Sequence, residues 1–186
     1  MQHRLFISGK WVPSSSKETF TSLNPATERH IGSFAQGNED DIEAAVEAAD
    51  DAYEKWSAVP APKRGAILLR AAALLRAEKE RLARLETTEM GKVLKEARGD
   101  VQEAIDVLEY MAGEGRRLFG NTTTSELRNK FCMTVRRPIG VVGLITPWNF
   151  PIAIPAWKIA PALVCGNTVV FKPSSDTPLC AIEFVK

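Results

Sequence analysis

Histidine is almost missing from the 186 residues, with only His3 and His30, both near the N-terminus. A hidden Cys/His nucleophile pair further along the chain is therefore implausible. Cysteine is scarce too: Cys132, Cys165 and Cys180 are odd in number, far apart and never in a CxxC spacing. That argues against a disulfide framework and against a zinc site, and it points to a reducing compartment, the cytoplasm. Charge of one sign is not in excess either. Lys and Arg total 24 against 23 Asp and Glu, a net +1, which gives no electrostatic reason to expect nucleic acid or an acidic membrane as partner. The N-terminus carries no signal-peptide apolar region. The apolar run from Phe150 to Phe171 is broken by Pro151, Pro155, Lys158, Pro161 and Gly166-Asn167, so a helix-turn-strand suits it better than a membrane span. Neither GxGxxG nor GxxxxGK[ST] occurs, so the common phosphate-loop fingerprints give no support for a nucleotide.

What remains is an ordinary globular composition, 45% hydrophobic and 25% charged, long enough for one core. Phe6-Ile7-Ser8-Gly9-Lys10-Trp11-Val12 reads as a hairpin, and Ser14–Ser16 and Asn24–Thr27 as turns. Three helices should follow. Asn38 can cap the first, with Glu39, Asp40 and Asp41 in its opening turn, and Ile42, Val46, Ala49, Tyr53 and Trp56 form a stripe expected to be buried. Pro60 and Pro62 separate it from a second helix carrying Ile67, Leu68, Ala71, Leu74, Leu75, Leu82 and Leu85, with its stop at Gly91. The third is expected from Leu94 to Phe119, with Val101, Ala104, Ile105, Leu108 and Met111 inward.

From Asn121 the chain turns Thr-rich, and Lys130 to Arg136 alternates as a solvated strand does. Gly140–Ile145 and Thr168–Phe171 are continuous apolar runs, separated by 22 residues that include a helical stretch. A parallel crossover needs a dozen or more residues, so this segment reads as a βαβ unit. Thr177-Pro178 then opens a further helix.

Two loops in this unit could carry chemistry. Thr146-Pro147-Trp148-Asn149-Phe150-Pro151 follows the first apolar strand, where open α/β sheets place their ligands. Asn149 offers an amide to a developing oxyanion, or it caps the next helix. Lys172, with Ser174 and Ser175 after it, could hold a ribose or phosphate, or it is a solvated lysine before a polar turn.

Three stretches of this region, Arg136–Pro151, Ala156–Leu163 and Gly166–Ser174, strongly resemble the aldehyde dehydrogenase superfamily. Asn24–Thr27, Glu89–Lys92 and Glu96–Gly99 agree with it, and the resemblance runs the length of the chain in family order. The resemblance implies an α/β fold: the N-terminal part of the aldehyde dehydrogenase fold, a helical periphery plus the first strands of a Rossmann-like parallel sheet. It divides the chain into a hairpin and helical part (1–120), a bridging arm strand (121–138) and the start of the NAD(P)-binding sheet (139–186). It implies oxidation of an aldehyde, closest in look to the semialdehyde branch, to a carboxylic acid. Asn149 would donate to the oxyanion, and Lys158 would belong to a polar, proton-handling network or form a structural ion pair. Ile145, Thr146, Pro147 and Trp148 would line the nicotinamide-ribose side of the cofactor, and Lys172 would bond the adenosine ribose. Many NAD-specific members have Glu at the position of Ser175, where it repels a 2′-phosphate, so NADP or either cofactor is expected.

The family's nucleophilic Cys and its Glu base have no counterpart in this sequence. Cys132 and Cys165 are expected to be buried and inert, and Cys180, near a helix start, somewhat more acidic. By itself the chain should be inactive. It reads as the N-terminal portion of a longer enzyme that forms homo-oligomers through the arm strand. The alternative is a non-catalytic truncated chain that binds other subunits.

Overall fold

The computed structural model describes residues 2–186. Five short strands come first: β1 (Gln2–His3), β2 (Leu5–Ile7), β3 (Lys10–Val12), β4 (Thr19–Leu23) and β5 (His30–Ala35). β2 and β3 form the expected antiparallel hairpin, with Ser8 and Gly9 both at positive φ, the two-residue turn whose twist matches its strands. β5 lies between β1, parallel to it, and β4, antiparallel.

Helices make up the middle. In α1 (Glu39–Ala58), Asn38 accepts from the Asp41 N–H while the Asp41 carboxylate accepts from the Asn38 N–H, a capping box. Asp41 also accepts from the Ser14 hydroxyl at 2.6 Å, so the cap ties the N-terminal strands to the helix. The expected buried stripe of α1 is only partly covered. Ala49 is buried, whereas Ile42 and Val46 face solvent, because periodicity selects a face but does not supply what packs on it.

The second expected helix is two. α2 (Ala61–Ala77) and α3 (Lys79–Met90) meet at Glu78, whose backbone leaves the helical region. Leu68, Leu75 and Leu82 are spaced by sevens, and such a row drifts about 20° per heptad around a straight helix. The break at Glu78 lets all three stay buried while Ile67 and Leu74, placed on the same stripe by sequence, are exposed.

α3 stops at Gly91, in the left-handed conformation at φ 85° that glycine adopts without a Cβ penalty. α4 (Leu94–Glu114) ends five residues earlier than Phe119, where Gly113 and Gly115 weaken the helix by about 1 kcal/mol each. A Cβ on Gly65 would lie 2.4 Å from the Ala112 carbonyl oxygen, so glycine there permits the close approach of α2 to α4. Val101, Ala104, Ile105 and Leu108 of α4 are fully or almost fully buried and form the centre of the core.

The anticipated strand at Lys130–Arg136 shrinks to β7 (Cys132–Met133), paired antiparallel with β6 (Thr122–Thr123). Phe131 and Met133 project into solvent there, with no layer beneath to extend the ladder. The βαβ unit is as read: β8 (Val141–Ile145), α5 (Ala153–Val164) and β9 (Thr168–Lys172), the strands parallel and in register from Val141/Thr168 to Ile145/Lys172. α5 packs on α4, and the chain closes with α6 (Pro178–Val185). Among the described residues no helix is long and apolar enough to cross a membrane, and no group of His, Cys, Asp or Glu has the makings of a metal site.

Candidate active site

β8 and β9 run in the same direction, so the loops that follow them emerge side by side at one edge of the pair. Their last residues, Ile145 and Lys172, are register partners, and the Thr146 N–H donates to the Lys172 carbonyl at 3.3 Å. Thr146 is buried, while Ile145 is 78% exposed and Pro147, Trp148 and Asn149 also face solvent. Lys172 and Ser175 are exposed beside them. The Ser174 hydroxyl accepts from the Asp176 N–H at 3.2 Å and shapes the second loop. The structure thus assembles Ile145, Thr146, Pro147, Trp148, Asn149, Lys172 and Ser175 at one open edge. Lys158 is exposed in the middle of α5 and has no ion-pair partner among the described residues.

Asn149 does not cap α5. The cap position is Ile152, which offers no side-chain bond, and the free Ala153 N–H is taken by the Asp100 carboxylate of α4 at 2.6 Å. The Asn149 amide makes no hydrogen bond to other described residues and is left facing solvent with both donors available.

Beneath the loop is a charged cluster that sequence reasoning did not single out. The Lys92 side chain, 7% exposed, donates to the Asn149 carbonyl at 2.7 Å, and its ammonium lies 3.9 Å from the Phe150 ring centroid. The same nitrogen is 3.3 Å from Asp100 Oδ2 and 2.9 Å from Glu86 Oε1. The Glu86 contact is close enough for an ion pair but not aligned as a hydrogen bond, so both carboxyl oxygens of this fully buried residue lack a hydrogen-bond partner. Burial first, and then the Asp100 carboxylate, push Glu86 up to about 8, against the opposing pull of Lys92. Burial also raises Asp100, opposed by the Ala153 N–H and Lys92. Near neutral pH this favours the protonated form of Glu86. Only the match of Glu89–Lys92 to the family pointed here from sequence.

The three cysteines differ in their surroundings. Cys180 is fully buried in the first turn of α6, where the Glu89 carboxylate accepts from the Leu179 and Cys180 N–H groups, both at 2.8 Å. Burial, followed by the neighbouring Glu89 charge, pushes the Cys180 thiol well up. This reverses the acidity expected from its place at a helix start, because Glu89 already occupies the positive end of that helix. Cys132 and Cys165 are half-buried rather than buried.

The aldehyde dehydrogenase family profile matches residues 11–186. The chain is 43% identical over 182 residues to the alpha-ketoglutarate semialdehyde dehydrogenase of Haloferax volcanii, covering 97% of this chain and 38% of that protein. Its fold superimposes on an NADP-dependent enzyme of E. coli with a TM-score of 0.96 at 37% identity, covering 99% of this chain and 38% of that one. For betaine aldehyde dehydrogenase of Staphylococcus aureus, solved with NAD+, the TM-score is 0.95 at 38% identity, covering 98% and 38%. The chain spans little more than a third of the length of these proteins.

Proposed function

The chain belongs to the aldehyde dehydrogenase family, and from that premise we propose that it forms the N-terminal part of a cytoplasmic enzyme oxidising an aldehyde, of the semialdehyde class, to a carboxylic acid with NADP or NAD. The observation that carries this reading is the unbonded, solvent-facing Asn149 amide at the carboxyl end of β8, released from helix capping by Asp100. A preorganised amide donor at such a place is worth roughly 3 kcal/mol in an acyl-transfer transition state, because it is aimed before the charge develops.

The donor set at this edge suits a nicotinamide dinucleotide. Lys172 and the Ser174 and Ser175 hydroxyls can bond ribose oxygens, and the exposed Ile145, Pro147 and Trp148 offer an apolar wall beside the buried Thr146. With no carboxylate at Ser175, a 2′-phosphate meets no repulsion there. The E. coli neighbour is described as NADP-dependent and the staphylococcal one is seen with NAD+, in keeping with use of either. When bound, the cofactor supplies the two-electron oxidant. Asn149 then holds the substrate oxygen as negative charge builds on it, and Lys158 contributes to a proton-handling network.

The family's nucleophilic Cys and Glu base have no counterpart in this sequence, so the 186 residues alone should not turn over. We assign the hairpin and helices (1–120) to the periphery of the cofactor domain, 121–138 to an arm that pairs with another subunit, and 139–186 to its parallel sheet. The exposed Phe131 and Met133 of the arm hairpin favour such pairing. The test is reduced-nicotinamide formation in the presence of semialdehydes, by the protein from its complete reading frame and by the 186 residues alone. Activity confined to the former supports the reading. Aldehyde-independent behaviour of both, with concentration-dependent assembly, would favour a binding role.

A further inference from the structure

Building on that reading, we propose that Lys92 is a positioning residue for Asn149, fixing the oxyanion donor through the backbone of its loop. The Asn149 side chain has no bond of its own, so where its amide points depends on how firmly the loop is held. The loop is held at both ends by one buried pair. Lys92 donates to the Asn149 carbonyl and covers the Phe150 ring, while Asp100, 3.3 Å from the same ammonium, accepts from Ala153 where α5 begins.

The route of the chain makes this possible. α3 ends at Gly91 in the left-handed conformation, packed against Pro25, and the next residue is Lys92. Its ammonium has three donors, which the Asn149 carbonyl, Asp100 and Glu86 surround. A lysine present only to pair with the buried acidic side chains of Asp100 and Glu86 would have no reason to reach a loop carbonyl fifty-seven positions along the chain. Displacing a reacting group by about 1 Å can cost on the order of a hundredfold in rate, so loop slack would be felt in turnover.

The experiment uses the protein from its complete reading frame. Lys92→Met alone strands two buried carboxyls and can unfold the domain, so it is paired with Glu86→Gln, which removes one of the two groups able to ionise there. Glu86→Gln alone keeps the Lys92 bond and is the reference. Hydrogen exchange over residues 146–156 should rise about tenfold or more in the double variant and stay within about twofold in the reference, with α2 peptides unchanged in both. In steady state the double variant should lose about tenfold or more in kcat, with KM values moved less than about threefold. Placed on top of Asn149→Ala, the same double change should cost little, because the group it positions is gone.

Unchanged loop exchange would overturn the proposal. So would a loss that multiplies in full on the Asn149→Ala background, which is what a general structural defect produces. A wild-type protein that forms no reduced nicotinamide with any aldehyde would instead remove the functional reading on which this role depends, a result distinct from either.

Discussion

Glu86→Gln is the sharpest probe of the buried cluster. In the folded chain burial and the Asp100 carboxylate raise Glu86 from an ordinary 4.5 to about 8. Between those two values the native protein holds a proton that the unfolded chain has released. Stability from this site is therefore fully present below about pH 4.5 and lost as pH rises through about 8, at up to about 1.4 kcal/mol per pH unit. Across the interval that amounts to about 2 to 4 kcal/mol. Glutamine has nearly the same shape and does not titrate. The variant should match the wild type near pH 5 and be more stable by about 2 to 4 kcal/mol near pH 9. Unfolding of both proteins by urea, followed at several pH values, gives the difference directly, and titrations remote from the cluster cancel. A difference that does not change with pH would refute the reasoning, because Glu86 would then ionise alike in the folded and unfolded states.

Arg64 is buried and donates to the carbonyls of Val164 at 3.0 Å, Ser57 at 3.1 Å and Val59, so it joins α1, α2 and the end of α5. Arg64→Met should destabilise the protein by about 3 to 5 kcal/mol, seen in the same urea curves, since three carbonyls lose a charged donor. Ser175→Glu should shift the ratio of kcat/KM towards NAD over NADP by about tenfold or more, and an unchanged ratio would withdraw the role given to that position. The 186 residues alone present two open edges on the β8/β9 pair and exposed apolar residues on α1 and α2. Sedimentation should show them associating as concentration rises, and a stable monomer at high concentration would contradict that expectation.

Features set by neighbours in the chain were legible in advance. The Ser8-Gly9 turn, the Asn38 cap, the Gly91 stop and the βαβ spacing each follow from a few consecutive residues. So was the loop around Asn149, through its place after an apolar strand and its resemblance to a family. The buried charges were not. Glu86, Glu89, Lys92 and Asp100 lie on or beside polar helices, where a charge ordinarily faces water, and their partners stand far away in sequence. Asp100 shows why this matters: by bonding Ala153 across 53 positions it performs the capping that local reading offered to Asn149. Ile42, Val46 and Leu74 mark the opposite limit, since a stripe can be read from spacing while its cover cannot.

The central claim is that Asn149 holds the substrate oxygen during aldehyde oxidation. Its most direct test is steady-state kinetics of Asn149→Ala in the protein from its complete reading frame, with a semialdehyde and saturating NADP. The account predicts a loss of about a hundredfold or more in kcat with KM little changed, because the bond forms mainly in the transition state. A variant that turns over within a few-fold of the wild type would contradict it.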